Sequence, residues 1–194
     1  MVMVMVYLIF SRTIERPLVR MVLLAPFTLH YLNRSLIYPF SASRGRPLPL
    51  LASGSAFLFT FYNGVLQSHF LLSVARLDHL QPALSLLGVL LFSWGLFLNI
   101  QSDKILQGLR KEGETGYKIP HGGMFSYVSS PNYLGEIIEW LGYAMIAQTA
   151  ASLWFALFSL IFLGWRAVKT HQWYQDKFKS DYPPDRKAFI PFLL

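Results

Sequence analysis

The feature that most constrains this chain is a succession of five long apolar stretches, separated by Pro, Gly or charged residues. They cover about residues 18–40, 48–72, 83–108, 132–149 and 151–175. Each is close to the roughly 20 residues that an α-helix needs to cross a bilayer, and charged residues make up only 14% of the chain. The sequence therefore predicts an all-α, polytopic transmembrane helical bundle of about five to six spans in a lipid bilayer.

The first seventeen residues are an atypical start to such a bundle. Residues 1–10 are apolar but shorter than a span, and a charged, Pro-containing cluster ends them. With 194 residues, a separate soluble domain does not fit beside the spans, so we expect residues 1–194 to form a single membrane domain. The last two stretches are joined only by Gln148 and Thr149, which predicts a tight antiparallel hairpin.

Basic residues are unevenly distributed between the two sides of the predicted bundle. Most Lys and Arg residues share a side with the C-terminus, whereas Arg12, Arg16, Arg20 and Arg76 fall on the other side. The positive-inside rule then places the C-terminus in the cytosol. The net charge of +7 is explained by this topology, because an aromatic content of 16% is unlike a nucleic-acid-binding tail. We expect no nucleic-acid partner.

Thiol and metal chemistry are not indicated. The chain has no Cys, which excludes disulfides, thiolate nucleophiles and Cys-ligated zinc. His121 and His171 are isolated and lack the spacing of a metal-binding motif. The sequence predicts no metal cofactor.

Polar side chains lie within the apolar stretches or at their ends; inside a membrane, each costs a few kcal/mol unless it lines a cavity or finds a partner. The clustered ones are His30, Tyr31, Arg34, Tyr38, Asn99, Asp103, Arg110, Asn132, Glu136 and Glu139. Helical spacing places Tyr31, Arg34 and Tyr38 on one face, and Asn132, Glu136 and Glu139 on another. Exposed helix ends would explain some of these residues, but two buried glutamates indicate a functional site.

The chemistry that suits this layout involves two ligands. An anionic cofactor would place its phosphates on Arg and Lys from the cytosol, while an apolar substrate would arrive from the bilayer. Hydride transfer from a reduced nicotinamide to a lipid-soluble enone fits, with Tyr31 as donor to the developing enolate oxygen. From the residues alone, an S-adenosylmethionine-dependent methyltransferase and a non-enzymatic membrane protein remain alternatives.

Six sequence blocks carry a resemblance that covers most of the chain from about residue 27 onward. They are LHYLNRSLIYPF (29–40), RGRPLP (44–49), NGVLQ (63–67), NIQSDKILQGLRKEGETGYKIPHGGMFSYVSSPNYLGEIIEWLGYA (99–144), FLGWRA (162–167) and DYPPDRKAFIPFLL (181–194). These blocks resemble the steroid 5α-reductase family of 3-oxo-5-alpha-steroid 4-dehydrogenases. The resemblance implies a seven-span bundle in the endoplasmic reticulum membrane, an oxidoreductase of steroid metabolism that uses NADPH to reduce the Δ4 double bond of 3-oxo-steroids such as testosterone and progesterone.

The resemblance also implies roles for individual residues. Tyr31 matches the family's catalytic tyrosine, which hydrogen-bonds the steroid 3-keto oxygen while a hydride reaches C5. Positions that match the NADPH site, or that shape it, are Asn99, Asp103, Arg110, Tyr117, Asn132, Glu136, Arg166, Tyr174, Arg34, Tyr38 and Arg46. Positions that match the apolar steroid-facing wall are Phe59, Trp140, Phe158 and Phe162.

The chain departs from the family at its start. The family has two further spans, the second of which carries a glutamate that partners the catalytic tyrosine; Glu15 lies in a loop on the opposite side and is not that residue. A family histidine near the end of the last span aligns with Thr170, beside His171. The chain is therefore interpreted as an N-terminally truncated member. The alternatives are a non-catalytic membrane protein and an enoyl-CoA reductase of the same superfamily, although NGVLQ favours the steroid branch.

Overall fold

The computed structural model describes residues 15–41, 49–109 and 116–193 as helices joined by short segments. The helices are α1 Pro17–Leu32, α2 Leu50–His69, α3 Pro82–Gly108, α4 Pro131–Ala147 and α5 Ala150–Phe178. The described ranges contain no β-strand, only an isolated bridge between Val128 and Lys187. The all-helical architecture is confirmed, and each helix falls within a few residues of a predicted apolar stretch.

Local sequence fixes where most of the helices begin. Pro17, Pro82 and Pro131 lie in the first turns of α1, α3 and α4, where the fixed φ of proline suits a helix and its missing N–H costs no hydrogen bond. At the start of α5, the Thr149 hydroxyl accepts a hydrogen bond from the Ser152 backbone N–H at 3.1 Å. The Ser152 hydroxyl and Thr149 complete a reciprocal capping box.

Helices α3 and α4 touch backbone to backbone. Gly88 of α3 faces Gly142 of α4, and Gly95 faces Gly135. A Cβ added at any of the four would lie 2.5 to 2.7 Å from the nearest backbone atom of the other helix. Side chains at these positions would force the helices apart, so the glycines fix which residue of α3 faces which residue of α4.

The connection between α4 and α5 is the predicted tight hairpin. Gln148 adopts the left-handed conformation with φ 49°, and its backbone N–H donates to the Ala144 carbonyl at 2.9 Å. Its side-chain amide donates to the Gln81 carbonyl at 3.1 Å, before the start of α3. The hairpin is therefore fixed to the same end of α3 as the α4 C-terminus.

Helices α1 and α2 continue into irregular turns. These are a π-helical turn Asn33–Ile37 and a short helical turn Tyr38–Ser41 after α1, and a π-helical turn Phe70–Val74 after α2. The buried Arg20 of α1 donates to the backbone carbonyls of Leu71 and Ala75. These bonds satisfy a guanidinium that is costly to bury, and they place the start of α1 against the end of α2.

The C-terminal segment folds back onto the residues that precede α4. The Lys187 N–H donates to the Tyr127 carbonyl at 2.9 Å, and the Ser129 N–H donates to the Lys187 carbonyl at 2.8 Å. The Ser129 hydroxyl also contacts His171 Nδ1 of α5 at 2.6 Å. Three separate parts of the sequence therefore meet at one end of the bundle. Short 3₁₀ turns lie at Leu77–His79, Gly123–Ser126 and Lys179–Asp181.

Among the described residues, two helices are long and apolar enough to cross a membrane. They are Pro82–Gly108, which is α3, and Ala150–Asp181, which includes α5. Large apolar side chains cover their outer faces, such as Leu90, which is 61% exposed, and Ile161, which is 72% exposed. Hydrocarbon suits such a surface better than water does. The number of spans stays a prediction, and most of the atypical start lies outside the described residues.

Candidate functional site

An ion pair joins the π-helical turn after α1 to the C-terminal part of α3. Arg34 Nη1 donates to Asp103 Oδ2 at 2.8 Å, and the guanidinium lies 4.6 Å from the centre of the Tyr38 ring. Asp103 is buried, whereas Arg34 is partly exposed. The pair therefore stands at the edge of the bundle, where one side of the guanidinium remains accessible to a ligand.

The glycine contacts between α3 and α4 set Asn99 opposite Asn132. The buried Asn99 donates through Nδ2 to the backbone carbonyl of Asn132 at 3.0 Å. One turn further along α4, Glu136 lies within electrostatic range of Arg34 and Asp103. We call this group the polar cluster; its members are Arg34, Tyr38, Asn99, Asp103, Asn132 and Glu136. The structure thus brings six of the predicted cofactor residues together.

Three other predicted cofactor residues lie on or against α5. The Arg166 guanidinium is 5.5 Å from the centre of the Tyr133 ring, and Tyr133 follows Asn132 directly. Tyr174 and Tyr117 both contact the Trp173 ring, with centroid distances of 5.0 and 4.8 Å. We call Tyr117, Trp173 and Tyr174 the aromatic group. It lies nearer the C-terminal end of α5 than Arg166 does.

Two predicted cofactor residues, Arg46 and Arg110, lie outside the described residues. The Gly-rich and charged loop that leads to Tyr117 is described only from residue 116 onward. The roles of these arginines and of that loop in phosphate binding stay predictions.

A buried arginine that the sequence analysis did not single out lies beside the aromatic group. Arg186 is 3% exposed, and its Nε and Nη1 atoms have no hydrogen-bond partner in the described part of the chain. Its guanidinium is 5.2 Å from the Tyr182 ring, which stacks on Tyr174. Because buried charges need partners, these unpaired donors could bind an anionic group. In the sequence, Arg186 is indistinguishable from other basic C-terminal residues.

Tyr31 separates the bundle core from a cavity between α1 and α2. Its ring packs against Phe27 at 4.8 Å and Trp140 at 5.9 Å, and the side chains of Thr60 and Asn63 lie close enough to its hydroxyl to interact with it electrostatically. The cavity has a volume of about 580 Å³, within the usual range for small-molecule sites. The mostly apolar lining consists of Leu24, Phe27, Thr28, Tyr31, Leu32, Ser35, Leu36, Phe57, Thr60, Phe61, Gly64, Val65 and Ser68.

Glu139 is buried within electrostatic range of Glu136, and only one of its two carboxylate oxygens has a hydrogen-bond partner among the described residues. Its Oε1 lies 2.7 Å from His30 Nδ1, and both side chains are buried. The contact joins α1 to α4, so the structure gives Glu139 a partner within the protein. Helical spacing shows which face a residue occupies, but not what packs against that face. The described residues include no group of three or more side chains able to hold a metal ion.

The residues predicted to face a steroid divide into two sets. Phe59 contacts Phe158 at 5.3 Å, and Phe158 stacks on Phe162 at 5.6 Å; all three are 43% to 45% exposed and lie between α2 and α5. Trp140 is buried and packs on Phe155 at 4.6 Å. None of the four lines the cavity beside Tyr31. The α2 residues that do line it carried no distinguishing sequence signal, because apolar residues surround them.

Comparison with known proteins decides the family. The family model described as 3-oxo-5-alpha-steroid 4-dehydrogenase matches residues 46–194. The chain belongs to this family. The resemblance seen in the six sequence blocks is therefore confirmed.

Individual members of the 3-oxo-5-alpha-steroid 4-dehydrogenase family are similar in sequence to most of this chain. The 3-oxo-5-alpha-steroid 4-dehydrogenase 1 of Bos taurus is 47% identical over 175 residues, which are 89% of this chain and 68% of the relative. The 3-oxo-5-alpha-steroid 4-dehydrogenase 2 of Homo sapiens is 49% identical over 178 residues, 89% of this chain and 68% of the relative. Steroid 5-alpha-reductase DET2 of Gossypium hirsutum is 42% identical over 179 residues, 88% of this chain and 69% of the relative. The chain spans about two thirds of the length of these relatives.

Proposed function

We propose that this chain is an NADPH-dependent 3-oxo-5α-steroid 4-dehydrogenase, which reduces the Δ4 double bond of steroids such as testosterone and progesterone. The observation that carries the proposal is the position of Tyr31, which lines an apolar cavity. Three residues later, Arg34 belongs to the polar cluster. An apolar ketone and a charged cofactor would therefore approach Tyr31 from different directions.

The cavity between α1 and α2 is the proposed place of the steroid. Its apolar lining suits a fused-ring hydrocarbon, and few polar groups border it. Tyr31 would donate its hydroxyl hydrogen to the 3-keto oxygen, while Phe27 and Trp140 hold the ring in place. The half-exposed residues Phe59, Phe158 and Phe162 remain a proposed steroid-facing wall on the lipid side.

The donor set of the polar cluster and of α5 fits a nicotinamide dinucleotide phosphate. Asn132 and Glu136 offer amide and carboxylate groups to a carboxamide, and Arg186 has unpaired donors for a phosphate. Tyr117 and Tyr174 add aromatic surface. Bound NADPH would supply the hydride. Further proposed contacts come from Arg46, Arg110 and Arg166.

The chain's own contribution to the reaction is to stabilise charge and exclude water. As a hydride reaches C5, negative charge develops on the 3-keto oxygen of the steroid. The Tyr31 hydroxyl donates to that oxygen in an apolar surrounding, where a fixed hydrogen bond stabilises charge more than it does in water. His30, which packs against Tyr31 and is held by Glu139, restricts the ring to one orientation.

We further propose that residues 1–194 form one domain in the endoplasmic reticulum membrane, with the C-terminus in the cytosol. The basic residues of the C-terminal segment and the exposed apolar faces of α3 and α5 support this orientation. The polar cluster and Arg186 then face the compartment that holds the cofactor, and the steroid enters from the bilayer.

The proposal is tested by expressing the chain in membranes that lack steroid reductases, adding NADPH with radiolabelled testosterone or progesterone, and measuring the 5α-reduced product. Tyr31→Phe removes only the donor to the developing charge, so we expect turnover to fall by about 100-fold to 1,000-fold, with NADPH affinity unchanged. Tyr62→Phe, on the exposed side of α2, is the matched control and keeps full activity.

Three outcomes would contradict parts of the proposal. Near-normal turnover by Tyr31→Phe would remove Tyr31 from the mechanism. Reduction of a long-chain enoyl-CoA in place of the steroid would identify the related reductase instead. If no product forms while a version extended by the two further family spans is active, the chain by itself is non-catalytic.

A further inference from the structure

Two buried amide side chains lie on one face of α2, opposite Tyr31. Asn63 is 6% exposed and Gln67 is 1% exposed, although the helix that carries them is otherwise mostly apolar. Burying an amide in such a setting is unfavourable unless it makes hydrogen bonds. The pair therefore requires an explanation that packing alone does not give.

The hydrogen bonds of Gln67 orient Asn63. Gln67 Nε2 donates to Asn63 Oδ1 at 3.2 Å and to the backbone carbonyl of Ala151 at 3.1 Å, in the first turn of α5. Both N–H groups of Gln67 are thus used. Because the Asn63 oxygen faces Gln67, the Asn63 Nδ2 group must point to the other side of the amide.

The Asn63 Nδ2 group is a buried donor that has no hydrogen-bond partner in the described part of the chain. Asn63 lies between Thr60 and Gly64 on α2, and both of these residues line the same cavity as Tyr31. The side chains of Asn63 and Thr60 are close enough to the Tyr31 hydroxyl to interact with it electrostatically. When the Tyr31 hydroxyl hydrogen points towards another group, the Tyr31 oxygen can accept a hydrogen bond from the Asn63 Nδ2 group.

We propose that Asn63, held in orientation by Gln67, is a positioning residue that donates through Nδ2 to the Tyr31 hydroxyl oxygen and so directs the Tyr31 hydrogen towards the carbonyl oxygen of a ketone in the cavity. This proposal rests on the proposed function. The proposed chain of hydrogen bonds runs from Gln67 through Asn63 and Tyr31 to the ketone, and each group donates a hydrogen bond to the next. Successive hydrogen bonds polarise one another, so Tyr31 becomes a stronger donor than an isolated hydroxyl.

The roles of the two amides differ from that of Thr60. The Thr60 hydroxyl can also reach Tyr31, but it lies in the lining of the cavity and can rotate to other acceptors. Only Asn63 is fixed at its far end by a second side chain. The proposal therefore predicts that loss of the Asn63 donor affects the reaction more than loss of the Thr60 hydroxyl does.

The experiment uses the full chain in membranes and compares Asn63→Leu, Thr60→Val and the double variant Asn63→Leu with Gln67→Met. The double variant removes both amides together, so it leaves no amide unpaired and keeps folding testable. Ser55→Ala, at an exposed position on the same helix, is the matched control. We expect Asn63→Leu and the double variant to lower kcat at least tenfold, with the KM for NADPH unchanged. Thr60→Val changes kcat less than threefold, and Ser55→Ala leaves it unchanged.

A binding measurement separates positioning from a general structural role. Radiolabelled testosterone and its analogue without the 3-keto oxygen are bound to the same variants, with and without Tyr31→Phe. We expect Asn63→Leu to weaken binding of testosterone severalfold, to leave the deoxy analogue unaffected, and to have no further effect when Tyr31→Phe is present.

The outcomes distinguish this proposal from the proposed function. If the unmodified chain neither binds nor reduces testosterone, the proposed function is wrong and the positioning role falls with it. If the unmodified chain is active but Asn63→Leu behaves like Ser55→Ala, the positioning role alone is wrong. An equal loss for both steroids, or a loss that persists in Tyr31→Phe, likewise overturns it.

Discussion

Gly95 of α3 and Gly64 of α2 meet very different surroundings. A Cβ at Gly95 would lie 2.5 Å from the backbone of α4, whereas a Cβ at Gly64 would meet only a Phe27 ring atom, at 4.0 Å. The α3–α4 pair is packed backbone to backbone, while the α1–α2 pair stands around a cavity of about 580 Å³. One pair fixes the register of the polar cluster, and the other leaves space for a ligand. Glycine therefore allows close helix packing at position 95 and leaves space in the cavity at position 64.

The largest effect is expected from Gly95→Leu. The new side chain would overlap the α4 backbone, which cannot move without separating the helices, so the cost should exceed the roughly 1–3 kcal/mol of ordinary overpacking. We expect no folded protein by size-exclusion chromatography in detergent. Gly108→Leu, at the end of the same helix where nothing lies within 4 Å, should fold. Equal behaviour of the two variants would show that the backbone contact is not required.

A smaller but still severe loss of stability is expected from Glu139→Ala, which cuts the link between α1 and α4. The buried His30 would lose its partner, and breaking a buried pair on one side typically costs about 3–5 kcal/mol. The thermal unfolding midpoint in detergent measures the loss. Glu136→Ala, one turn away and only partly buried, is the comparison and should shift the midpoint much less. Similar shifts for both would argue against the His30 contact.

Gly64→Leu should affect binding far more than folding. Its side chain would extend into the cavity, where there is room, so stability should change by less than about 1 kcal/mol, while steroid affinity should fall by about tenfold or more. Equilibrium binding of radiolabelled testosterone gives the affinity. Gly54→Leu, on the same helix but outside the cavity lining, should leave it unchanged. Unaltered affinity in Gly64→Leu would place the steroid elsewhere.

The smallest effect is expected from Gly54→Ala. Nothing lies within 4 Å of a Cβ at this position inside α2, so the methyl group would meet no obstacle. Alanine loses less backbone entropy in a helix, and a gain of about 0.5–1 kcal/mol should follow. A slightly higher unfolding midpoint is the expected result. A lower midpoint would mean that α2 needs the freedom of glycine there.

The helices could be predicted from the sequence because their signals are local. Apolar stretches of the right length, Pro17, Pro82 and Pro131 at the starts, and the two-residue connection before α5 fix them without knowledge of the fold. The partner of Glu139 could not be predicted in this way. His30 is 109 positions away in sequence, and only the packing of α1 against α4 brings the two together.

The candidate site likewise contains residues that the sequence predicts and residues that only the fold reveals. The polar cluster follows from clustered polar residues and from the family resemblance, and its members indeed meet. Asn63 and Gln67 lie in the block NGVLQ, but an amide in an apolar helix shows its importance only when its burial and partners are known. Arg186 resembles any solvated basic residue until the fold places it in the interior with unpaired donors. The described π-helical turn Asn33–Ile37 likewise has no sequence signal of its own.

The length of α5 has a consequence for where the two proposed ligands would meet. Its 29 residues extend for about 44 Å at 1.5 Å per residue, which exceeds the roughly 30 Å thickness of a bilayer's hydrocarbon core. In the proposed orientation, with Ala150 at one boundary of that core, Tyr174 would lie beyond the other boundary, at headgroup depth. The same helix contacts α2 through Phe158, which in that orientation would lie within the hydrocarbon core. The proposed separation between a steroid dissolved in lipid and a cofactor dissolved in water would thereby be set by the rise of a single helix, and a thicker membrane would draw the aromatic group at Trp173 below the headgroups.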